Sequence, residues 1–385
     1  MPVTLTEVQR IPTWGARAVE PVRVAGRDLL AIPQLAKDIP GGPPGMNGGD
    51  SDTDLLLLHR AGGRFEPWAT LPAPGGEDAE FFTIGDRSFL AVASIRTGAG
   101  PYEFAATSTI YEWRGDGFAP FQEVPTFAAK QWKHWRIGDR HFLGLAQGVT
   151  SPPGQAGQEN QDSVVYEWTG QSFAEFQRIP SRWAYNWHAF QAGGEFFVAH
   201  AEHAGPSILY RWDGTRLQPW QTLADESGRA FATFADGSST YLVVACIAAP
   251  TRVLRLADGE FTQTQVLDGL GARELAVARC AGRTLLIRVN FILGTPAVPE
   301  PALDSQVYEW DGGKLHEVAS FPTCGGTDVA VLNNSDASNS DAGNSDPSNS
   351  EGNADSVELV VTNSLTPELR FAAETVRYEL TAGAR

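Results

Sequence analysis

Three acidic residues stand at equivalent places in a sequence pattern that recurs along the chain. Asp78, Glu274 and Asp328 each open a run of alternating apolar residues. If these runs converge on one axis, the carboxylates approach one another, and clustered carboxylates favour a bound hard cation or raised pKa values. The pattern therefore predicts a candidate Ca²⁺ site at Asp78, Glu274 and Asp328. Solvated carboxylates are the alternative, and no organic cofactor is expected.

Side chains of both charge signs stand two residues after the equivalent position in four copies of this run. These positions hold Glu20, Glu80, Lys133 and His188. Alternation along a strand puts them on the same side as the first set, and carboxyl, ammonium and imidazole groups at one level can exchange protons with a substrate. Glu20, Glu80, Lys133 and His188, with Asp78, are therefore the catalytic candidates if the protein is an enzyme.

Aromatic residues flank this lysine and this histidine. The equivalent segments are Trp132-Lys133-His134-Trp135 and Tyr185-Asn186-Trp187-His188. A cation beside indole rings can bind an aromatic or anionic small molecule. The candidate ligand contacts are Trp132, His134, Tyr185, Trp187 and, in a separate loop, Tyr102. Trp132, Trp187 and His134 could instead pack between repeats.

The runs belong to a repeat of two hairpins. Its second half is clearest from Ser108 to Thr126, where Tyr-Glu-Trp, a tight turn and Phe-Gln-Glu-Val-Pro-Thr follow one another. Its first half alternates apolar residues around a Gly-Asp-Arg turn, so each repeat supplies four antiparallel strands, A to D. One such sheet cannot bury both faces alone, and copies roughly 45 to 60 residues apart must stack around an axis.

Strand A begins at seven places. They are Ala18, Asp78, Gln131, Asn186, Ala230, Glu274 and Asp328. The seventh repeat ends after strand C, whereas Thr4 to Thr13 match strand D with no A, B or C before them. We therefore predict an all-β fold, a seven-bladed β-propeller of four-stranded antiparallel blades, in which the N-terminal strand completes the last blade and leaves no free edge.

The connections between strands B and C differ greatly in length. They are long in blades 1, 2, 3 and 6 and short in blades 4 and 5, so long loops should ring one mouth of the central channel. The segment from Asn333 to Ser356 is an acidic insertion of Asn, Ser and Asp in the last blade, and we expect it to be disordered. Residues 1–385 are otherwise expected to form a single domain.

Composition argues against two classes of binding partner. The formal net charge of −17 repels phosphate backbones, so neither nucleic acid nor an anionic membrane is an expected partner. Cys246, Cys280 and Cys324 are scattered and read as buried small side chains. The chain starts directly on a strand pattern, which predicts a cytoplasmic protein, or a secreted one if an export signal has been trimmed.

The repeat resembles the EPTP, or epilepsy-associated (EAR), repeat of the LGI propellers and of some bacterial proteins. The resemblance rests on Phe-x-x-Phe-Gln-x-Ile/Val-Pro-Thr, Asp-x-Glu-x-Phe, Phe-Leu-Ala-Val and Ser-x-Ile-Tyr-x-Trp, and it is strongest in blades 2 to 4. It implies a seven-bladed propeller commonly used to bind proteins outside the cell. Similar propellers can hold calcium in the channel through Asp positions, of which Asp78 is the best match.

Two functions fit the pattern. The first is a binding scaffold that holds a protein partner or a small-molecule ligand at the loop-rich mouth of the channel. The second is a cytoplasmic enzyme, of cyclase or lyase type, with acid–base or metal-assisted chemistry in that mouth. The absence of a recognisable catalytic motif favours the scaffold, and the mixed charges at one level of the channel favour the enzyme. The sequence does not determine the oligomeric state.

Overall fold

The computed structural model describes residues 2–150, 157–332 and 355–383. These residues form seven four-stranded antiparallel sheets in a ring, a seven-bladed propeller, as predicted. None of the described residues is helical, so no helix among them is long and apolar enough to cross a membrane.

The strands of the first half of the chain follow the predicted order. They are β1 (Val3–Trp14), β2 (Glu20–Val24), β3 (Arg27–Ile32), β4 (Asp54–Ala61), β5 (Arg64–Pro72), β6 (Gly76–Ile84), β7 (Arg87–Ser94), β8 (Thr107–Trp113), β9 (Phe118–Pro125), β10 (Gln131–Ile137), β11 (Arg140–Ala146), β12 (Val149–Thr150), β13 (Gln158–Glu159), β14 (Ser163–Trp168), β15 (Phe173–Ile179) and β16 (Ala184–Ala192).

The second half continues the same alternation. It contains β17 (Glu195–Glu202), β18 (Ser207–Trp212), β19 (Leu217–Ala224), β20 (Gly228–Asp236), β21 (Ser239–Cys246), β22 (Thr251–Ala257), β23 (Glu260–Leu267), β24 (Ala272–Cys280), β25 (Arg283–Asn290), β26 (Leu293–Thr295), β27 (Val298–Glu300), β28 (Ala302–Trp310), β29 (Leu315–Cys324), β30 (Gly326–Leu332), β31 (Ser356–Asn363) and β32 (Ala372–Ala382). The short hairpins β12–β13 and β26–β27 lie inside long connections.

The N-terminal strand closes the ring, as predicted. The last blade has the order β1-β32-β31-β30, and β1 pairs with β32 from Val3 opposite Ala382 to Trp14 opposite Ala372. This pairing makes the chain's first strand the outer strand of its last blade, so the two ends of the chain hold each other in place.

A recurrent glutamine links each outer strand to the next blade. In five blades its side-chain amide donates to the carbonyl, and accepts from the N–H, of one residue in the neighbouring outer strand, at 2.7–3.0 Å. The five pairs are Gln9–Phe65, Gln122–Phe173, Gln177–Leu217, Gln221–Phe261 and Gln265–Leu315. The Gln of the repeat motif is therefore a blade-to-blade bridge.

The B–C connections pack against one another on one face of the ring. Their apolar side chains form a cluster that includes Leu35, Met46, Ile95, Phe291 and Phe371. This face, which we call the loop-rich face, is therefore held by its own small core. The insertion predicted to be disordered falls almost entirely outside the described residues and stays a prediction, although its last residue, Ser356, begins β31.

Candidate functional site

A cavity of about 420 Å³ fills the centre of the ring and is lined by the inner strands. Going inward from the loop-rich face, its lining falls into three layers, named here by their charges. The basic layer contains Arg17, Glu77, Lys130 and Arg273; the acidic layer contains Asp78, Glu274 and Asp328 with Gln131 and Asn186; and the mixed layer contains Glu20, Glu80, Lys133 and His188 with Ala232, Ala276 and Ala330.

β-Bulges at the start of two inner strands supply two members of the basic layer, Glu77 and Arg273. The pairing of β6 with β7 skips Glu77, and the pairing of β24 with β25 skips Arg273. A bulge leaves one residue out of the ladder and redirects its side chain. The glycine before the bulge in β6 is required sterically, because a Cβ on Gly76 would lie 2.8 Å from Cβ of Pro33.

Glu77 is the centre of the basic layer. Its carboxylate is 3.4 Å from Nε of Arg17, 3.2 Å from Nζ of Lys130 and 3.6 Å from Nη2 of Arg273. Burial alone would raise the pKa of Glu77, but these three cations outweigh it and lower the pKa to about 2. One carboxylate thus serves three buried cations.

Tyr185 stands beside this layer and shares its cations. Its ring centroid is 3.9 Å from the Arg229 guanidinium, 5.0 Å from Lys130 Nζ and 5.3 Å from the Arg273 guanidinium. Burial would raise the pKa of this phenol, yet the three cations lower it to about 8. Tyr185, predicted as a ligand contact, therefore acts here mainly as a partner of buried cations.

The three carboxyl groups predicted to bind calcium do share one level. Burial and the neighbouring Glu80 raise the pKa of Asp78 well above its ordinary value. Burial raises the pKa of Asp328 to about 6, and burial together with Asp328 raises the pKa of Glu274 to about 8. Near neutral pH Glu274 is therefore mostly protonated, Asp328 is mostly ionised, and ionisation of Asp78 is disfavoured.

Most oxygens of these carboxyl groups already accept hydrogen bonds. Asp78 takes the backbone N–H of Trp132 in the next blade at 2.9 Å, and Asp328 takes that of Val19 at 2.7 Å. Glu274 accepts from Asn186 Nδ2 at 2.9 Å. Two of the three groups therefore join neighbouring blades.

Calcium finds no assembled ligand set in this arrangement. Within residues 2–150, 157–332 and 355–383, no group of three or more His, Cys, Asp and Glu side chains could hold a metal ion. The proposed ion stays a prediction. A Ca²⁺ titration against Mg²⁺, with Asp78→Asn as the variant, tests it.

Three of the catalytic candidates, Glu20, Glu80 and Lys133, lie together in the mixed layer. Lys133 Nζ lies 2.9 Å from Glu80 Oε2, and Glu20 Oε1 accepts the backbone N–H of Phe81 at 2.9 Å. Burial, followed by the Glu80 carboxylate, raises the pKa of Glu20 well above its ordinary value. Burial would lower the pKa of Lys133, but Glu80 and Glu20 raise it. The layer thus holds a Lys–Glu ion pair beside a carboxyl group whose ionisation is disfavoured.

His188 stands apart from that group. Its Nε2 lies 3.1 Å from Thr233 Oγ1, and burial, followed by Lys133, lowers the pKa of its imidazole to about 3. The imidazole is therefore neutral at physiological pH. The wall beyond it is formed by Ala232, Ala276 and Ala330, which leave the channel wide on that side.

Several predicted ligand contacts prove to be packing residues. Trp132 is fully buried in the core between two blades, and His134 stacks on Phe82 with ring centroids 4.5 Å apart. Neither residue lines the cavity. Trp187 reaches the edge of the cavity, but its ring packs on that of His200 with centroids 4.0 Å apart. Trp132, Trp187 and His134 therefore pack between repeats, which was the alternative to ligand contact for these three residues.

Tyr102 also lies outside the cavity lining. Its hydroxyl donates to the carbonyl of Gly49 at 2.8 Å, and the Arg96 guanidinium stands 3.7 Å from its ring centroid. Tyr102 therefore joins the loops of blades 1 and 2.

Sequence reasoning overlooked the basic layer. Its members come one position before the strand starts that we aligned, and a shift of one residue would have placed Arg17, Glu77, Lys130, Tyr185, Arg229, Arg273 and Thr327 in one row. The alternating pattern hid them because a bulge breaks alternation where five of them stand.

The fold and the channel define a class, the seven-bladed propellers built from four-stranded repeats. Within it, the EPTP domain profile matches residues 64–114, 117–169 and 172–213. The resemblance seen in the sequence is thereby confirmed, and this part of the chain matches the EPTP repeat. The matched stretches cover strands of blades 1 to 4, where the repeat is most regular.

Several proteins are similar in sequence to parts of this chain. The human thrombospondin-type laminin G domain and EAR repeat-containing protein is 35% identical over 150 residues, 36% of this chain and 22% of that protein. Leucine-rich repeat LGI family member 3 of Macaca fascicularis is 26% identical over 205 residues, 53% of this chain and 34% of that protein. Mouse leucine-rich glioma-inactivated protein 1 is 23% identical over 173 residues, 43% of this chain and 28% of that protein. The chain thus spans about a fifth to a third of these relatives.

Proposed function

We propose that this propeller is a binding scaffold that holds a protein partner on its loop-rich face. The observation that carries the proposal is the position of its exposed apolar side chains. Trp14, Ile39, Leu270 and Val298 are four of the six large apolar residues exposed in the described ranges, and all four lie at strand ends or in connections on that face. Exposed apolar groups gathered on one face are typical of an interaction surface.

These side chains follow one arc of the ring. Leu270 connects blades 5 and 6, Val298 lies in the hairpin of blade 6, Trp14 ends the last strand of blade 7, and Ile39 belongs to the loop of blade 1. The packed loop core beneath them supports a preformed surface, which lowers the entropy cost of binding. Val298 is the most exposed, at 73%.

The named relatives are consistent with a recognition module. Their names combine EAR repeats with a laminin G domain, or an LGI protein with leucine-rich repeats. We propose by analogy that this propeller also contributes one binding surface. The cytoplasmic location predicted from the first residues gains no support from these relatives.

The test begins with crosslinking of partners from the source cells to the purified chain, followed by affinity measurement with each purified candidate. We expect Ile39→Asp combined with Val298→Asp to weaken binding by about tenfold or more, because charges then replace apolar contacts. The matched control is Val266→Asp, an exposed apolar residue on an outer strand. Equal affinity of the rim variant and the control for every partner would refute the proposal.

A second candidate function is an enzyme, favoured by Glu20, whose pKa is raised by burial, beside the Lys133–Glu80 ion pair inside a cavity. A protonated carboxyl group next to a carboxylate can serve as acid and base in one site. Incubation of the chain with a metabolite extract, followed by mass spectrometry, tests this. We expect any turnover to be lost in Glu20→Gln, and an unchanged metabolite profile counts against an enzyme.

A further inference from the structure

The basic layer carries more positive charge than Glu77 alone neutralises. Arg17, Lys130 and Arg273 share Glu77, and Arg229 adds a fourth cation on the far side of Tyr185. Lys130, Arg17 and Arg229 are at least nine-tenths buried. Burial of charge that is not fully compensated is costly, so this layer is suited to receive an anion.

Hydrogen bonding within the layer is incomplete. In the described part of the chain, Nε of Arg17 and Oε2 of Glu77 are buried without a hydrogen-bond partner, although Nε stands 3.4 Å from Glu77 Oε1 in an ion pair. Buried N–H groups normally meet an acceptor. Because Arg17 lines the cavity, an anionic oxygen entering from the channel can reach this guanidinium.

The cavity is larger than an inorganic anion needs. Its volume is about 420 Å³, whereas one water occupies roughly 30 Å³ in the liquid. The layers below the cations offer the amides of Gln131 and Asn186 and, further in, Ala232, Ala276 and Ala330. An organic body with polar and apolar sides therefore fits beneath the charged group.

We propose that the channel binds a small organic acid, with its carboxylate between Arg17, Lys130 and Arg273 and its body against the alanine wall of the mixed layer. A singly charged group suits this place better than a dianion, because Glu77 and the acidic layer lie close by. The site is separate from the rim surface and does not depend on protein binding there.

Matched pairs of acids and amides test the proposal. Benzoate and cyclohexanecarboxylate, each beside its primary amide, are titrated into the full chain by calorimetry at constant ionic strength, with inorganic phosphate and sulfate as further arms. We expect the carboxylates to bind and their neutral isosteres to fail. Binding should also move the titration of Tyr185 to higher pH, since the bound anion offsets its cations.

Variants of the basic layer should act in opposite directions. Arg273→Gln removes a cation and should weaken carboxylate binding by about tenfold or more. Glu77→Gln removes the competing internal anion and should tighten it several-fold. Arg60→Gln is the matched control, because Arg60 is a partly buried arginine paired with Glu358 outside the channel lining.

Three results would overturn the proposal. One is that neither carboxylate binds the wild-type chain; the second is that each amide binds as tightly as its acid. The third is that only phosphate or sulfate binds, which would make the layer an inorganic anion site. Loss of partner binding by the rim variants leaves this site intact, so the two proposals fail separately.

Discussion

At the scale of single residues, the channel is organised by the partners of buried charges rather than by residue type. Glu77 and Asp78 are adjacent carboxyl groups with opposite behaviour. Burial disfavours the charge of both, but three cations hold the pKa of Glu77 at about 2, whereas Glu80 adds to burial in raising that of Asp78. Adjacent positions can therefore hold one carboxyl group whose ionisation is strongly favoured and one whose ionisation is disfavoured.

Tyr185 offers the first prediction at this scale. We expect one phenol of the native chain to ionise near pH 8, because Lys130, Arg229 and Arg273 face it, with Glu77 as the opposing charge. Its pKa is lower in the folded than in the unfolded state, so stability should rise as pH increases from about 8 to about 10. Ultraviolet difference titration of the wild type and of Tyr185→Phe measures this, and a first transition near pH 10 in both would contradict it.

Glu77 gives the second prediction. Its folded pKa of about 2 lies below the ordinary value of 4.5. The stability that it contributes is therefore complete above the unfolded pKa and is lost as pH falls through 4 towards 2. Urea unfolding should show Glu77→Gln less stable than wild type by a few kcal/mol at about pH 6, with the gap closing near pH 2. A gap that does not change with pH would mean that Glu77 acts through packing.

At the scale of elements, the outer strands are joined by side chains that a strand pattern does not reveal. Each C–D pair has a break in register, as between Val165 and Tyr166 in blade 3, and the bridging glutamine sits opposite that break. Ala69 and Ala319 take the same register position in blades 1 and 6. The bulge thus sets which residue of the motif reaches the next blade.

Gln177 provides the prediction at this scale. Gln177→Ala leaves the buried backbone N–H and carbonyl of Leu217 without their side-chain partner, and should destabilise the chain by about 1–3 kcal/mol. Gln263→Ala, on an exposed face of β23, should stay within about 0.5 kcal/mol of wild type. Chemical denaturation compares the two, and equal stabilities would show that the bridge contributes little.

At the scale of the whole molecule, closure of the ring should control stability. β1 covers the edge of β32, and Val3 and Ile11 belong to two different apolar cores. We expect deletion of residues 2–13 to lower the melting temperature markedly and to promote association through the open edge. A synthetic peptide of residues 2–14 should restore the wild-type value. A truncated chain that melts as a monomer at the wild-type temperature would contradict the closure role.

The blade number and the closure could both be predicted from the sequence. They depend on a repeat of fixed order and on period-2 alternation, and both are local properties of the chain. Alignment of the strand starts also predicted that Asp78, Glu274 and Asp328 lie at the same depth in the channel. Their pKa values are raised, as expected for carboxyl groups buried near other carboxyl groups.

Only the tertiary structure decided which polar groups meet in the channel. The bulges at Glu77 and Arg273 shift the register by one residue and add a basic layer that alternation does not predict. Packing of the blades also buries Trp132 and His134 in the core between two blades, and it places the ring of Tyr102 against the Arg96 guanidinium. The repeat determines the strand order of each blade. The assembled ring determines which groups each channel side chain contacts, because those groups belong to other blades.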